Sequence, residues 1–170
     1  MIAGTPKLVG SLIVASGGKV VGRTRLQKMV CMLGLAGFDV GFDFSYHHHG
    51  PYSEDLSFAV SDADALGLVR ETQCRTDWGG WFSTFEADVI PIDSNIELAR
   101  PLLGVMRDAN SVVLELAVTA AFLDSCGEQD PWGEVQRRKS QKATPFRIGE
   151  AKRLYSKLKE NIPDSGDFAQ

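Results

Sequence analysis

The chain has 170 residues, 44% of them hydrophobic and 24% charged, and a net charge of −4. That is enough to bury one core without disulfides or metals, and Cys31, Cys74 and Cys126, odd in number and with no CxxC pair, argue for free thiols over a disulfide framework or zinc site. No basic-then-apolar leader opens the sequence and no apolar run approaches the ~20 residues of a membrane span, so a cytoplasmic chain with no membrane segment is expected.

Thr5-Pro6 reads as a helix cap with Pro at the first helical position, and Leu8, Val9, Leu12 and Ile13 follow at helical spacing until Gly17-Gly18. Lys19 to Gly22 is a short extended or turn segment. A second helix is predicted from about Arg23 to Leu35, with Leu26, Met29, Val30 and Leu33 on one face and Arg23, Arg25 and Lys28 mostly elsewhere. Phe38 to His48 alternates as a strand does, with Gly50-Pro51 breaking it. Ser53 caps a third helix whose first turn carries Glu54 and Asp55, and which ends at Gly67. Leu68–Cys74 and Trp81–Val89 are predicted to form a hairpin across the turn-rich Thr76–Gly80.

Ser94-Asn-Ile-Glu97 has the form of a capping box opening a helix to about Met106, with Pro101 as a kink. Ser111–Cys126 is nearly all apolar, as befits a helix running through the core. Asp130-Pro131 and Thr144-Pro145 open two more helices, near Trp132–Lys139 and from about Pro145 to Asn161. The residues from Pro163 to Gln170 are expected to be loose.

The order helix, helix, strand, helix, hairpin and then helices predicts a mainly α (α+β) chain. Residues 1–90 would form a winged-helix-like module with a β-hairpin, its wing tip at Asp77–Gly80. Residues 91–162 would form a helical bundle packed on it as one unit, with 163–170 as a flexible tail.

Charge is unevenly spread. Residues 1–37 carry five basic side chains and no acid, residues 38–130 hold 17 acids against four bases, and residues 137–159 hold nine bases and the single acid Glu150. If the basic flanks meet in the fold, an acidic molecule has a basic face.

Gly22-Arg-Thr-Arg-Leu-Gln-Lys28, His48-His-Gly-Pro-Tyr-Ser53 and Ala65-Leu-Gly-Leu-Val69 together resemble the YwgA-like family and, more distantly, the Panacea (SocA-like) antitoxin domain. Lys139-Ser-Gln-Lys-Ala-Thr144 and Ile148-Gly-Glu-Ala151 look like that family's Lys-rich loop and Ala-containing helix. The resemblance covers residues 7–160. It implies a winged-helix-like fold without established enzymatic activity and, on the Panacea side, antitoxin or adaptor roles through protein contacts. Cys31-Met32 departs from the aromatic-apolar pair of relatives, and the segment around Trp78–Trp81 has no counterpart that the resemblance explains.

Two readings attach to each candidate residue. Arg23, Arg25 and Lys28 are candidates for contact with a partner or with phosphates. Leu26 belongs to the core, and Gln27 either joins that contact or satisfies the backbone of a neighbouring turn. Gly50, Pro51 and Ser53 have a mechanical role in turn and cap, while Tyr52 is a contact candidate beside the helix N-terminus. Trp78 and Trp81 either fold back on the body or form a contact surface. His47-His48-His49 alternates sides on a strand and lacks further ligands at metal spacing, so no metal and no cofactor are expected. Nucleophile, P-loop and dinucleotide motifs are absent, so no catalytic residue is assigned. The expected function is a non-catalytic protein–protein interaction module, antitoxin-like or an adaptor in a bacterial or phage stress or defence system, with a protein partner encoded nearby. The alternative is a winged-helix DNA-binding regulator, against which stands a third helix bearing Glu54, Asp55, Asp62 and Asp64 and no base.

Overall fold

Thr5 accepts a hydrogen bond from the Leu8 amide at 3.2 Å and so starts α1, Pro6–Ala15, in a computed structural model that describes residues 4–164. Residues 165–170 of the expected tail lie outside the described residues. β1, Lys19–Val21, leads through Gly22 into α2, Arg23–Leu35. Gly22 has φ 99°, a conformation closed to most side chains, which lets a strand turn directly into a helix. β2, Ser45–His47, and β3, Gly50–Tyr52, precede α3, Glu54–Ala65, whose N-cap Ser53 accepts from the Leu56 amide. β4, Arg70–Arg75, and β5, Trp81–Glu86, form the expected hairpin. The helical half is α4, Ser94–Leu98, α5, Arg100–Asp108, α6, Ser111–Ser125, α7, Pro131–Arg138, and α8, Pro145–Glu160.

The architecture is mainly α, with a small antiparallel sheet in the order β1-β5-β4 and a separate β2–β3 hairpin. Val21 stands opposite Thr84, and Thr84 opposite Thr72, so the hairpin is tied to the strand between α1 and α2. Lys19 and Arg70 flank Glu86 and pair with it on the solvent face, where such pairs stabilise little.

Four expectations are corrected. The alternation from Phe38 onward is real in burial, since Phe38, Val40 and Phe42 are buried between exposed Asp39, Gly41 and Asp43. Yet only Ser45–His47 is strand; the preceding segment packs on the core in extended form without a ladder. Gly50-Pro51 does not end the pairing but supplies it, with Tyr46 opposite Pro51 and His48-His49 in the turn. The cap before α4 is Asp93, which accepts from the Asn95 amide, and Ser94 lies inside the helix. Pro101 marks a break rather than a kink: α4 stops, Ala99 lies between, and α5 starts with Pro in its first turn, where its missing N–H costs nothing.

The main core gathers Leu12, Ile13, Val20, Met29, Leu33, Leu56, Phe85, Leu102, Met106, Leu114 and Leu158, so both halves of the chain contribute to it. α6 is apolar all round because it serves two clusters. Leu114, Val118 and Ala121 face the main core, while Leu116, Ala117, Ala120 and Leu123 pack with Val135, Ile148 and Ala151 of α7 and α8. No helix among the described residues is long and apolar enough to cross a membrane.

Candidate functional site

The basic residues at the start of α2 have three different fates. Arg23 donates from Nε and Nη2 to Glu71 Oε1 at 2.9 and 2.5 Å, and Ser83 Oγ donates to the same oxygen at 2.6 Å. Its charge is therefore matched, although its side chain remains largely exposed. Arg25 donates from Nη1 to the carbonyls of Met106, Arg107 and Ala109, clasping the C-terminal end of α5, where unpaired carbonyls accumulate. Lys28 does not stand on an exposed face of α2 as expected: it is 1% exposed, and its Nζ donates to the Pro51 carbonyl at 2.8 Å. Helical geometry explains the difference. Lys28 sits between core-facing Leu26 and Met29 and is overlaid by the β2–β3 hairpin, which helix periodicity cannot reveal.

Gln27 is also buried. Its Nε2 donates to the Ser53 carbonyl at 2.9 Å and to Ser57 Oγ at 3.1 Å, and its Oε1 accepts from the Ser53 amide at 2.9 Å. A primary amide matches both backbone groups of Ser53 at once, which fixes the start of α3 against α2. Leu26 is in the core, and Gly50 and Pro51 are buried in β3. Gly50 has φ 86°, and a Cβ there would fall 2.6 Å from Thr119 Oγ1, with Lys28 Cε and Lys139 Cε close behind. Only glycine lets the hairpin lie this near α6.

The two basic flanks of the sequence do meet, but in the interior. Glu115 on α6 is 3% exposed and accepts from Lys139 Nζ at 2.7 Å and Lys142 Nζ at 2.9 Å. Burial pushes the Glu115 carboxyl up, but the two lysine hydrogen bonds outweigh it and hold it below its ordinary value. Lys28 and Lys139 both approach Gly50, and burial, only partly opposed by Glu115, lowers the Lys28 ammonium to about 8. This cluster was missed in the sequence. Its one signal is an acid, Glu115, one turn before Thr119 in an otherwise apolar helix.

A cleft of about 490 Å³ opens beside this cluster between α2, β3 and α3. Lys28, His49 and Tyr52 line one part of it, Arg23 and Glu71 another, and Leu56, Phe58, Val60 and Phe85 supply apolar wall. Tyr52 exchanges a hydrogen bond with Ser57 at 2.7 Å inside it. His49 is held below its ordinary pKa by burial and then by the nearby Lys142. Among the described residues, no group of three or more His, Cys, Asp or Glu side chains is placed to hold a metal ion.

The hairpin aromatics are outside. Trp78 is 84% and Trp81 65% exposed, and Phe82 and Val21 are also exposed. Trp78 lies over the turn, where a Cβ on Gly80 would touch its ring, and the Arg75 guanidinium stands 5.6 Å from the centre of the Trp81 ring. With Val21, Gly22, Arg23, Thr24, Arg25 and Ser111, these side chains line a second open groove running from the hairpin to the start of α2. The groove therefore joins Arg23, Arg25, Trp78 and Trp81 in one surface, while Tyr52 and Lys28 belong to the cleft.

These features define a mainly α chain with a small antiparallel sheet, an aromatic groove and a cleft with Lys28 in its lining. Along most of its length it is similar to the uncharacterised protein YwgA of Bacillus subtilis (strain 168): the two are 26% identical over 156 residues, covering 87% of this chain and 93% of that protein. That span supports a YwgA-like family for the chain. No family model matches the sequence, and no solved structure matches it.

Proposed function

We propose that the chain is a non-catalytic protein–protein interaction module, antitoxin-like or an adaptor, which engages its partner through the aromatic groove. The observation carrying this reading is the exposure of Trp78 and Trp81 on one groove with Val21 and Phe82. Large aromatic side chains left in water are unfavourable alone and are the residues that dominate protein interfaces when covered. The order α1-β1-α2-α3-β4-β5, with β1 closing the sheet against β5, supports a winged-helix-like reading of this half, in which the groove lies along the wing. The distant likeness to the Panacea domain is consistent with a partner-neutralising role.

A winged-helix DNA-binding regulator is the second reading, and the same element order favours it. Against it, α3 occupies the position of the groove-reading helix and presents exposed Glu54, Asp55, Asp62 and Asp64, which repel phosphate. Arg23 and Arg25, moreover, already have acceptors within the protein.

The deciding experiment co-expresses the chain with the product of the adjacent reading frame and measures co-purification and growth. Complex formation and growth rescue, both lost in Trp78→Ser/Trp81→Ser with an unchanged circular dichroism spectrum, are the expected results. Absence of both for the unaltered chain, together with a salt-sensitive gel shift lost in Arg23→Ala/Arg25→Ala, would replace this reading with DNA binding.

A further inference from the structure

The lysine cluster that meets the cleft at Lys28 is unbalanced in charge. Lys28, Lys139 and Lys142 gather around Gly50 and α6, and Glu115 is the one carboxylate bonded to them among the described residues. Both oxygens of Glu115 are taken up by Lys139 and Lys142. Lys28 makes no ion pair among the described residues, and its hydrogen bond is to a single neutral carbonyl, that of Pro51. A buried ammonium in this position is costly unless an anion completes it. Arg25 offers the contrast within the same helix: three carbonyls at a helix C-terminus receive it, and it needs nothing further.

Lys28 and His49 both line the cleft, and Glu115, Lys139 and Lys142 act on each of them. The Arg23–Glu71 pair, also in the lining, is neutral as a unit, which leaves Lys28 as the lining cation without a carboxylate bonded to it. The Tyr52 and Ser57 hydroxyls and the apolar side chains of Leu56, Phe58, Val60 and Phe85 complete the lining. A volume of about 490 Å³ far exceeds a bare phosphate or carboxylate and falls within the range of organic ligand sites.

We propose that this cleft binds a small organic anion, with its phosphate or carboxylate group on Lys28 and His49 and an apolar or aromatic body against Leu56, Phe58, Val60 and Phe85. The cleft shares Arg23 and Thr24 with the aromatic groove but none of its aromatic side chains, and the proposal does not depend on the partner reading. The anion supplies the negative charge that the cluster lacks, and its hydrophobic body covers Phe58, which α3 leaves 65% exposed.

The test is isothermal titration of the full chain at neutral pH and low salt with phenyl phosphate, phenylacetate, inorganic phosphate and benzyl alcohol. Saturable binding of phenyl phosphate or phenylacetate is expected, and the stronger of the two identifies the head group. Inorganic phosphate, lacking the ring, and benzyl alcohol, lacking the charge, should each bind at least about tenfold more weakly. Lys28→Met should weaken the aromatic anion by about tenfold or more, and His49→Ala, at an exposed turn that does not threaten folding, should weaken it measurably. Phe58→Ala should weaken phenyl phosphate without changing inorganic phosphate. Binding should also decline as pH rises through the Lys28 value of about 8; Glu115, Cys31, Lys139 and Lys142 act on Lys28, and Arg23, Glu71, Tyr52 and His49 are the other charged or titratable groups in the lining. No saturable binding of either aromatic anion overturns the proposal. So does binding that both Lys28→Met and His49→Ala leave unchanged.

Discussion

Glu115→Gln keeps nearly the same shape at a side chain that is 3% exposed and removes only its charge. In the native protein that carboxylate holds Lys139 Nζ at 2.7 Å and Lys142 Nζ at 2.9 Å. Lys142 is partly exposed and can turn into water once released, but Lys139 is as buried as Glu115 and has no such exit. Breaking one partner out of a buried ion pair costs about 3–5 kcal/mol, and the freedom of Lys142 places this case near 3 kcal/mol. That is a large fraction of a domain stability of roughly 5–15 kcal/mol. With a urea slope of about 2 kcal/mol per molar, the unfolding midpoint should fall by about 1.5 M. The assay is urea unfolding followed by tryptophan fluorescence and far-ultraviolet circular dichroism. The double variant Glu115→Leu/Lys139→Met, which removes both charges, should recover most of the loss. Acidification supplies a second check. Because the folded Glu115 carboxyl lies below its unfolded value of 4.5, its contribution is present above that pH and disappears as pH falls through the folded value. The Gln variant should lack that component. A midpoint shift below about 0.3 M, or a double variant no better than the single one, would refute the reasoning.

Three further outcomes are expected. The Lys28 ammonium is lowered from 10.5 to about 8 by burial, so the unfolded chain binds the extra proton between those values and stability should rise with pH across that window. At ~1.4 kcal/mol per unit this is roughly 3 kcal/mol, absent in Lys28→Met; Cys31 acts in the opposite direction, so the readout is the wild-type-minus-variant difference in unfolding free energy at each pH. Gln27→Ala strands the buried amide of Ser53, leaves its carbonyl with the Ser57 amide as donor, and should cost about 1–3 kcal/mol in urea unfolding, whereas no loss would mean that water replaces the Gln27 side chain. Burial pushes the Cys31 thiol up to about 12, while Cys126 is exposed, so iodoacetamide on the folded protein should label Cys126 and spare Cys31 by mass spectrometry. Equal labelling of the two would show that α2 is open to solvent.

The helix starts were legible because a cap is a local event. Thr5, Ser53, Asp130 and Thr144 each accept from an amide three residues on, and the side chain and its target lie in one short stretch of sequence. The apolar run of α6 and the hairpin around Thr76–Gly80 were legible for the same reason. Phe38–Phe42 misled because alternating burial needs only a surface on one side, whereas a strand needs a neighbour with free backbone groups. The aromatic residues at the β4–β5 hairpin were visible as an anomaly, but whether they fold back or face water depends on what the rest of the chain leaves open beside β5.

Lys28 marks the division most clearly. From sequence it is one of three bases at the start of an amphipathic helix, and its local pattern is that of a surface residue. Its real environment comes from Gly50-Pro51 in a hairpin, Glu115 in a later helix and Lys139 in a loop later still. Sequence by itself determined the elements, their caps, the helical C-terminal half and the basic character of both flanks, because these depend on residues within a turn or two of each other. Only the tertiary structure decided that the flanks converge inside, around one carboxylate, since burial and pairing of a charge are set by long-range packing that no local pattern encodes.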